Sequence, residues 1–317
     1  MVELQPDQLR ALAAIASTGT FDAAARELGV TPSAVSQRMR ALEAAVGQVL
    51  VRRGRPAELT PPGQVLVRHA RHLALQQADV LAELGIDGSA RTADLADDPA
   101  APLPEITLVV SGDALTTWAL PALVEASAWA RLDVLREDEE HSIGLLRDGT
   151  AVAAVTSVAA AVPGCRSTLL GHMRYRPMAS PEFVARWFPD GPTPRALATA
   201  PVLAFDRKDD LQERYLRGRA EDAGTSTSGP SADPLLDPPR HHVPASNEFR
   251  RAIELGMGWG MLPDLQSATG EQAGRLVGFD DARAVDVPQH WQQWRLHSAS
   301  LDRVARAVAG AARATLS

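Results

Sequence analysis

Apolar positions recur at helical spacing through the first third of the chain. Leu9, Leu12, Ala13, Ile15 and Ala16 form one stripe between about Pro6 and Ser17, and Thr18-Gly19-Thr20 ends it. A second short helix, Phe21 to Leu28, stops at Gly29. Thr31-Pro32 then supplies an N-cap followed by proline at the first helical position, which starts a third helix. Short helices joined by a tight glycine-containing turn predict a helix-turn-helix.

The third helix divides into two faces. Val35, Met39, Leu42 and Val46 recur at spacings of four, three and four and predict the inward stripe. Ser33, Ser36, Gln37 and Arg40 lie opposite, and these side chains are suited to hydrogen-bond base edges and phosphates. An ordinary solvated face has the same look, so this pattern alone leaves both readings open. The stretch Leu50 to Thr60 has short apolar ends around an arginine-rich turn, which predicts a two-stranded wing with Arg52 and Arg53 in reach of backbone phosphate.

A long helix is predicted from Pro62-Gly63 to Leu84. Its narrow stripe of Leu66, Ala70, Leu73, Val80 and Leu84 calls for a partner helix, hence a coiled-coil-like dimer contact, with packing on the chain's own body as the alternative. Gly85 through Pro104 collects Gly, Asp, Ala and Pro without periodicity and reads as a linker. Beyond it, the runs Ile106 to Val110, Arg131 to Arg136, Ala151 to Thr156, Pro201 to Phe205 and Trp259 to Leu262 alternate with helical stretches. That alternation predicts an α/β body built on a parallel sheet. Gly218 to Pro239, rich in Ser, Gly, Pro and Asp, reads as a surface excursion, and Leu301 to Thr315 as a closing helix.

Charge separates the two parts. The chain of 317 residues carries a net charge of −7, yet residues 1 to 75 hold nine arginines against six acids, a basic head of net +3 on an acidic body. Such a head is suited to a polyanion, and with the predicted helix-turn-helix that polyanion is expected to be double-stranded DNA. With no uninterrupted apolar run of membrane length, and neither a basic start nor an apolar stretch at the N-terminus, the chain is expected to be a cytoplasmic protein with no membrane partner. A single cysteine, Cys165, rules out an intramolecular disulfide. His241-His242 are adjacent, point differently and have no third ligand at metal-binding spacing, so no metal is expected. The sequence has no GxSxG elbow, no P-loop and no GxGxxG after a strand, which argues against an enzyme.

Phe21-Asp22-Ala23-Ala24-Ala25-Arg26-Glu27-Leu28, the run from Thr31-Pro32-Ser33 through Gln37, Arg38, Arg40 and Glu43, then Arg52-Arg53 and Leu59-Thr60-Pro61-Pro62-Gly63, resemble the LysR-type transcriptional regulators. Glu254-Leu255-Gly256-Met257-Gly258-Trp259-Gly260-Met261-Leu262-Pro263 resembles a helix-to-strand turn in the second lobe of that family's effector domain. A finer resemblance, to regulators of basic amino-acid export and of arginine or lysine metabolism, rests on four segments: Ser111-Gly112-Asp113-Ala114-Leu115-Thr116-Thr117-Trp118; Arg174-Tyr175 with Ala179 to Phe183; Arg186-Trp187-Phe188-Pro189; and Phe205 to Asp210.

The resemblance implies an N-terminal winged helix-turn-helix (residues 1–62), a dimerising linker helix (63–84), a hinge linker (85–104) and a two-lobed effector domain like the periplasmic binding proteins (105–317). Lobe I would comprise about 105–176 and 270–317, and lobe II about 177–269. It adds Thr31, Pro32 and Arg38 to the DNA-contacting set and implies a homodimer or homotetramer. Ligands of open α/β sheets sit beyond the carboxyl ends of strands, which directs attention to Asp113, Thr116 and Thr117 after the first strand and to Asp138, Thr156, Asp206 and Asn247 at other element ends. Asp113 is suited to an ammonium group, or alternatively to capping its own helix. The expected cofactor set is empty, with a small effector, lysine or arginine, as the ligand. Effector binding would alter DNA bending or RNA polymerase contact. A different effector, or a DNA-binding architectural protein without sensing, is the alternative.

Overall fold

Three helices, α1 (Pro6–Thr18), α2 (Phe21–Glu27) and α3 (Pro32–Val46), close around Leu12, Ile15, Val35, Met39 and Leu42, the same apolar positions that define the helical stripes. The computed structural model describes residues 3–52, 54–84, 103–136, 139–222 and 236–317. The Thr20 and Thr31 hydroxyls cap α2 and α3 by accepting from Ala23 N and Ala34 N at 3.1 and 3.2 Å, satisfying donors that a helix start leaves open.

Two short antiparallel strands, β1 (Val51–Arg52) and β2 (Glu58–Leu59), form the wing, with Val51 opposite Leu59. The Glu43 carboxylate fastens the wing to α3 by accepting from Leu50 N at 2.9 Å. The long helix α4 (Pro61–Glu83) then leaves across the wing's base. A Cβ on Gly63 would stand 2.1 Å from the Leu50 carbonyl oxygen, so this crossing requires glycine.

The remainder is α/β. In chain order it comprises β3 (Glu105–Val110), α5 (Gly112–Ala114), a π turn (Leu115–Ala119), α6 (Leu120–Ala126), β4 (Arg131–Leu135), α7 (Glu139–Arg147), β5 (Ala153–Thr156) and β6 (Cys165–Ala179). There follow α8 (Pro181–Trp187), α9 (Pro194–Leu197), β7 (Val202–Ala204), α10 (Leu211–Asp222), β8 (Arg240–His242) and α11 (Ser246–Glu254). The chain ends with β9 (Gly260–Pro263), α12 (Asp264–Gln272), β10 (Val277–Gly278), β11 (Val285–Trp294) and α13 (Ala299–Thr315). The π turn sits just before Pro121, which lacks the backbone donor needed for a regular α register.

The sheet is mixed, which corrects the expectation of a parallel one. β4, β3 and β5 are parallel neighbours, and β7 pairs with β8 in parallel, as alternation of strands and helices requires. The two longest strands, β6 and β11, instead pair antiparallel from Cys165–Trp294 to Tyr175–Val285. Their faces alternate or carry polar residues, so neither reads as a continuous apolar run. Tyr175 is where the sheet changes lobes: it faces Val285 of β11 on one side and Pro263 of β9 on the other.

Most of the expected linker, residues 85–102, lies outside the described residues. Of the expected excursion, Gly218 to Asp222 continue α10 as helix, while 223–235 also lie outside the described residues. Trp118, Trp259 and Leu203 are among the largest fully buried side chains of the body.

The helix α4 serves both parts. Leu66 and Val67 pack on the head, and Leu75 enters the core of the body. Arg68 donates to the Arg147 carbonyl at 2.8 Å, Arg71 to Thr150 Oγ1 at 2.9 Å, and Ser300 Oγ to Asp79 Oδ1 at 2.5 Å. Of the proposed dimer stripe, Ala70 is buried within the chain, Leu66 and Leu73 are half-buried, and Val80 and Leu84 are exposed at 53% and 64%.

Candidate functional site: a helix-turn-helix face and an interlobe carboxylate

Burial of Val35, Met39 and Leu42 turns the opposite side of α3 outward. Ser33, Gln37 and Arg40 are exposed together with Thr31 and Pro32 at the helix start, while Ser36 is half-buried. The face is therefore a short, exposed polar ridge. Arg40 donates from Nε to the Ser36 carbonyl at 3.3 Å. Arg38 differs: it is half-buried and paired with Asp7 of α1 at 3.3 Å. Arg52 stands exposed opposite Glu58 on the wing, and Arg53 lies outside the described residues.

In the body, Asp113 holds the central position. It lies in α5, directly after β3, where the polypeptide turns from strand into helix under the cap of Ser111 Oγ, which accepts from Ala114 N at 3.3 Å. One carboxylate oxygen accepts from Tyr175 OH at 2.9 Å, and the other from Ser246 Oγ at 2.5 Å. Tyr175 lies at the strand junction and Ser246 begins α11, so Asp113 joins three elements that are remote in sequence.

The remaining proposed effector residues divide clearly. Thr117 turns back on its own helix, donating to the Asp113 carbonyl at 2.6 Å, and Thr116 is exposed. Thr156 is buried and accepts from Val158 N at 3.2 Å, which shapes the turn after β5. Asp206 accepts from Lys208 N at 2.7 Å and Asp209 N at 3.0 Å, closing its own loop. Asn247 is exposed, one residue beyond Ser246. Asp138 lies outside the described residues. The structure thus brings Asp113 and the start of α11 together, while Thr156 and Asp206 are engaged locally.

Sequence reasoning assigned no role to Tyr175, Ser246 or Asp209. Tyr175 and Asp209 fall within segments that carry the family resemblance, and Ser246 marks a helix start, but nothing in their local pattern says that they converge. Asp209 titrates above the ordinary carboxylate range because burial disfavours its charge; the N–H groups of Phe205 and Leu211 oppose that, and the charge of Asp113 adds to it. Both of its oxygens are taken up by its own loop.

Two arginine clusters stand apart from this site. Arg176 of β6 joins Asp264, Glu271 and Asp281, and its guanidinium titrates above its ordinary range because Glu271 and the two aspartates bond to it. Glu254 at the end of α11 binds Arg250, Arg251 and Arg275. Among the described residues there is no group of His, Cys, Asp and Glu arranged to hold a metal, and no helix is long and apolar enough to cross a membrane.

Comparison with known proteins agrees with this architecture. Residues 6–64 match the bacterial regulatory helix-turn-helix protein, lysR family. The HTH-type transcriptional regulator LysG of Mycobacterium tuberculosis is 41% identical over 314 residues, 98% of this chain and 95% of that protein. The lysine export transcriptional regulatory protein LysG of Corynebacterium glutamicum is 39% identical over 311 residues, 98% of each. The crystal structure of ArgP from M. tuberculosis superposes with a TM-score of 0.83 at 39% identity, covering 99% of both chains. Full-length LysG from C. glutamicum with bound effector Arg superposes with a TM-score of 0.75 at 37% identity, covering 98% of this chain and 99% of that one. A winged head on a two-lobed α/β body, similar over its full length to these transcription regulators, places the chain in the LysR family of DNA-binding transcriptional regulators.

Proposed function

We propose that this regulator takes a basic amino acid, arginine or lysine, between its lobes at Asp113, and that the bound state alters how its heads engage operator DNA. The observation that carries this reading is the Asp113 carboxylate, fixed by Tyr175 and Ser246 at the meeting point of strand junction and helix start. A carboxylate accepts at about four lone-pair positions, so two hydrogen bonds leave room for an ammonium group. The relative solved with bound effector Arg, and the relatives named for lysine export, support the same ligand class and an exporter gene as target.

The active form is a homodimer or homotetramer. Val80 and Leu84 on the exposed side of α4 are suited to helix pairing, and the heads so placed would bend operator DNA or present it to RNA polymerase. Ligand control of this kind requires the effector to bind one arrangement more tightly than the other. The test is a mobility-shift and footprinting titration on DNA upstream of the regulator's own gene and of genes for amino-acid exporters, with and without arginine or lysine. A footprint altered by basic amino acids and unaltered by neutral ones supports the reading; a footprint indifferent to both rejects the effector.

A further inference from the structure

The bond from Ser246 to Asp113 crosses between lobes. Asp113 belongs to the lobe of β3, β4 and β5, while Ser246 begins α11, which packs through Phe249 and Ile253 on the lobe of β7 and β9. Both partners are well fixed. Ser246 is buried, and its carbonyl accepts from Gln266 Nε2 at 2.9 Å, which anchors the first turn of α11 to α12. The second oxygen of Asp113 is held by Tyr175 at 2.9 Å.

The neighbouring chain is shaped for this approach. A Cβ on Gly112 would lie 3.0 Å from Ser246 Oγ and 3.6 Å from Arg136 Cδ, close enough to press on the hydroxyl by a few tenths of an ångström. The residue before α11 is Ala245, which offers no side-chain cap. A carboxylate bonded to the first residue of α11 is therefore also placed at the positive end of an otherwise uncapped helix.

We propose that Ser246 and Tyr175 are positioning residues for effector recognition: Ser246 clasps the lobes together through Asp113, and Tyr175 aims the same carboxylate at the ligand. This rests on the reading that Asp113 receives the effector, and it adds how affinity is set. The clasp favours the lobe arrangement in which Asp113 is assembled, so that less binding free energy goes into closure. A protein whose competent form is sparsely populated binds more weakly in proportion to that fraction.

The two roles separate by experiment. Fluorescent dyes on Val124→Cys and Glu182→Cys, both exposed and one in each lobe, report lobe separation in full-length chains diluted among unlabelled ones; Cys165 is buried. Ser246→Ala is expected to widen the separation without ligand and to weaken arginine binding about tenfold, the scale of one hydrogen bond to a charged group. Gly112→Ala, which displaces the hydroxyl while keeping it present, is expected to widen the separation as well. Tyr175→Phe is expected to weaken binding with the separation unchanged. A Ser246→Ala protein with wild-type separation overturns the clasp. If arginine does not bind the unsubstituted protein, the effector reading fails, and the clasp stands or falls on the separation alone.

Discussion

The imidazole of His72 on α4 lies against the indole of Trp294 at the end of β11, with ring centroids 4.9 Å apart. Arg68, one turn earlier, lies over the same indole at 4.8 Å, and the indole N–H donates to the Leu146 carbonyl at 2.9 Å. This joint fastens the helix that carries the DNA-reading head to the strand whose other end meets Tyr175.

The joint is sensitive to acid. Burial, with Arg68 and His69 close by, pushes the His72 imidazole down from 6.5 to about 4, and its Nε2 is buried without a hydrogen-bond partner. Between these two values the unfolded chain binds the proton and the folded one does not. The contribution is therefore complete above pH 6.5 and is lost as pH falls towards 4. His72→Phe removes the titration and keeps a ring against Trp294. The melting temperature of this variant relative to the unsubstituted protein is expected to rise as pH is lowered from 7 to 5; a constant difference refutes the assignment.

The head depends on a glycine that no larger residue can replace. Gly63→Ala would place a methyl group against the Leu50 carbonyl, forcing α4 and the wing apart, at a cost of about 1–3 kcal/mol. All six tryptophans lie in the body, at positions 118, 129, 187, 259, 291 and 294. Loss of operator binding with unchanged tryptophan fluorescence on denaturation is the expected signature, and wild-type operator affinity would refute it.

On α3 the side chains do not contribute equally. Arg40→Ala and Gln37→Ala remove exposed groups and are each expected to weaken operator binding by about 1–3 kcal/mol. Arg52→Ala on the wing is expected to lower affinity for all sequences and to reduce the slope of log affinity against log salt by about 0.9. Arg38→Ala acts differently, because Arg38 braces Asp7; its effect is expected in the stability of the head. Filter binding over a salt series separates these cases.

Val80→Glu and Leu84→Glu test the pairing of α4. Both side chains are exposed in the single chain, so the substitutions leave the fold intact and are expected to shift sedimentation towards smaller species. An unchanged sedimentation profile would assign pairing to another surface.

How far the sequence reveals this molecule depends on whether the signal is local. Thr20, Gly29, Thr31 and Pro32 punctuate the head, and the buried positions of α3 follow its period, so these elements are readable within a few residues. The long strands β6 and β11 escape notice because tertiary pairing overrides their mixed composition. Asp113 is readable as a carboxylate after a strand. Its partners are not, since Tyr175 and Ser246 lie 62 and 133 positions away and meet it through the sheet junction and the packing of α11. Thr156 and Asp206 share the same strand-end signal, yet turn geometry engages them locally.

The central claim is that a basic amino acid binds at Asp113. Calorimetric titration of full-length protein with arginine, lysine, leucine and glutamate, repeated with Asp113→Asn, tests it most directly. The account predicts saturable binding of arginine or lysine, none of leucine or glutamate, and a loss of at least about tenfold in affinity with Asp113→Asn, the cost of an ammonium left without its charged partner. Equal affinity of the two proteins for arginine would contradict it.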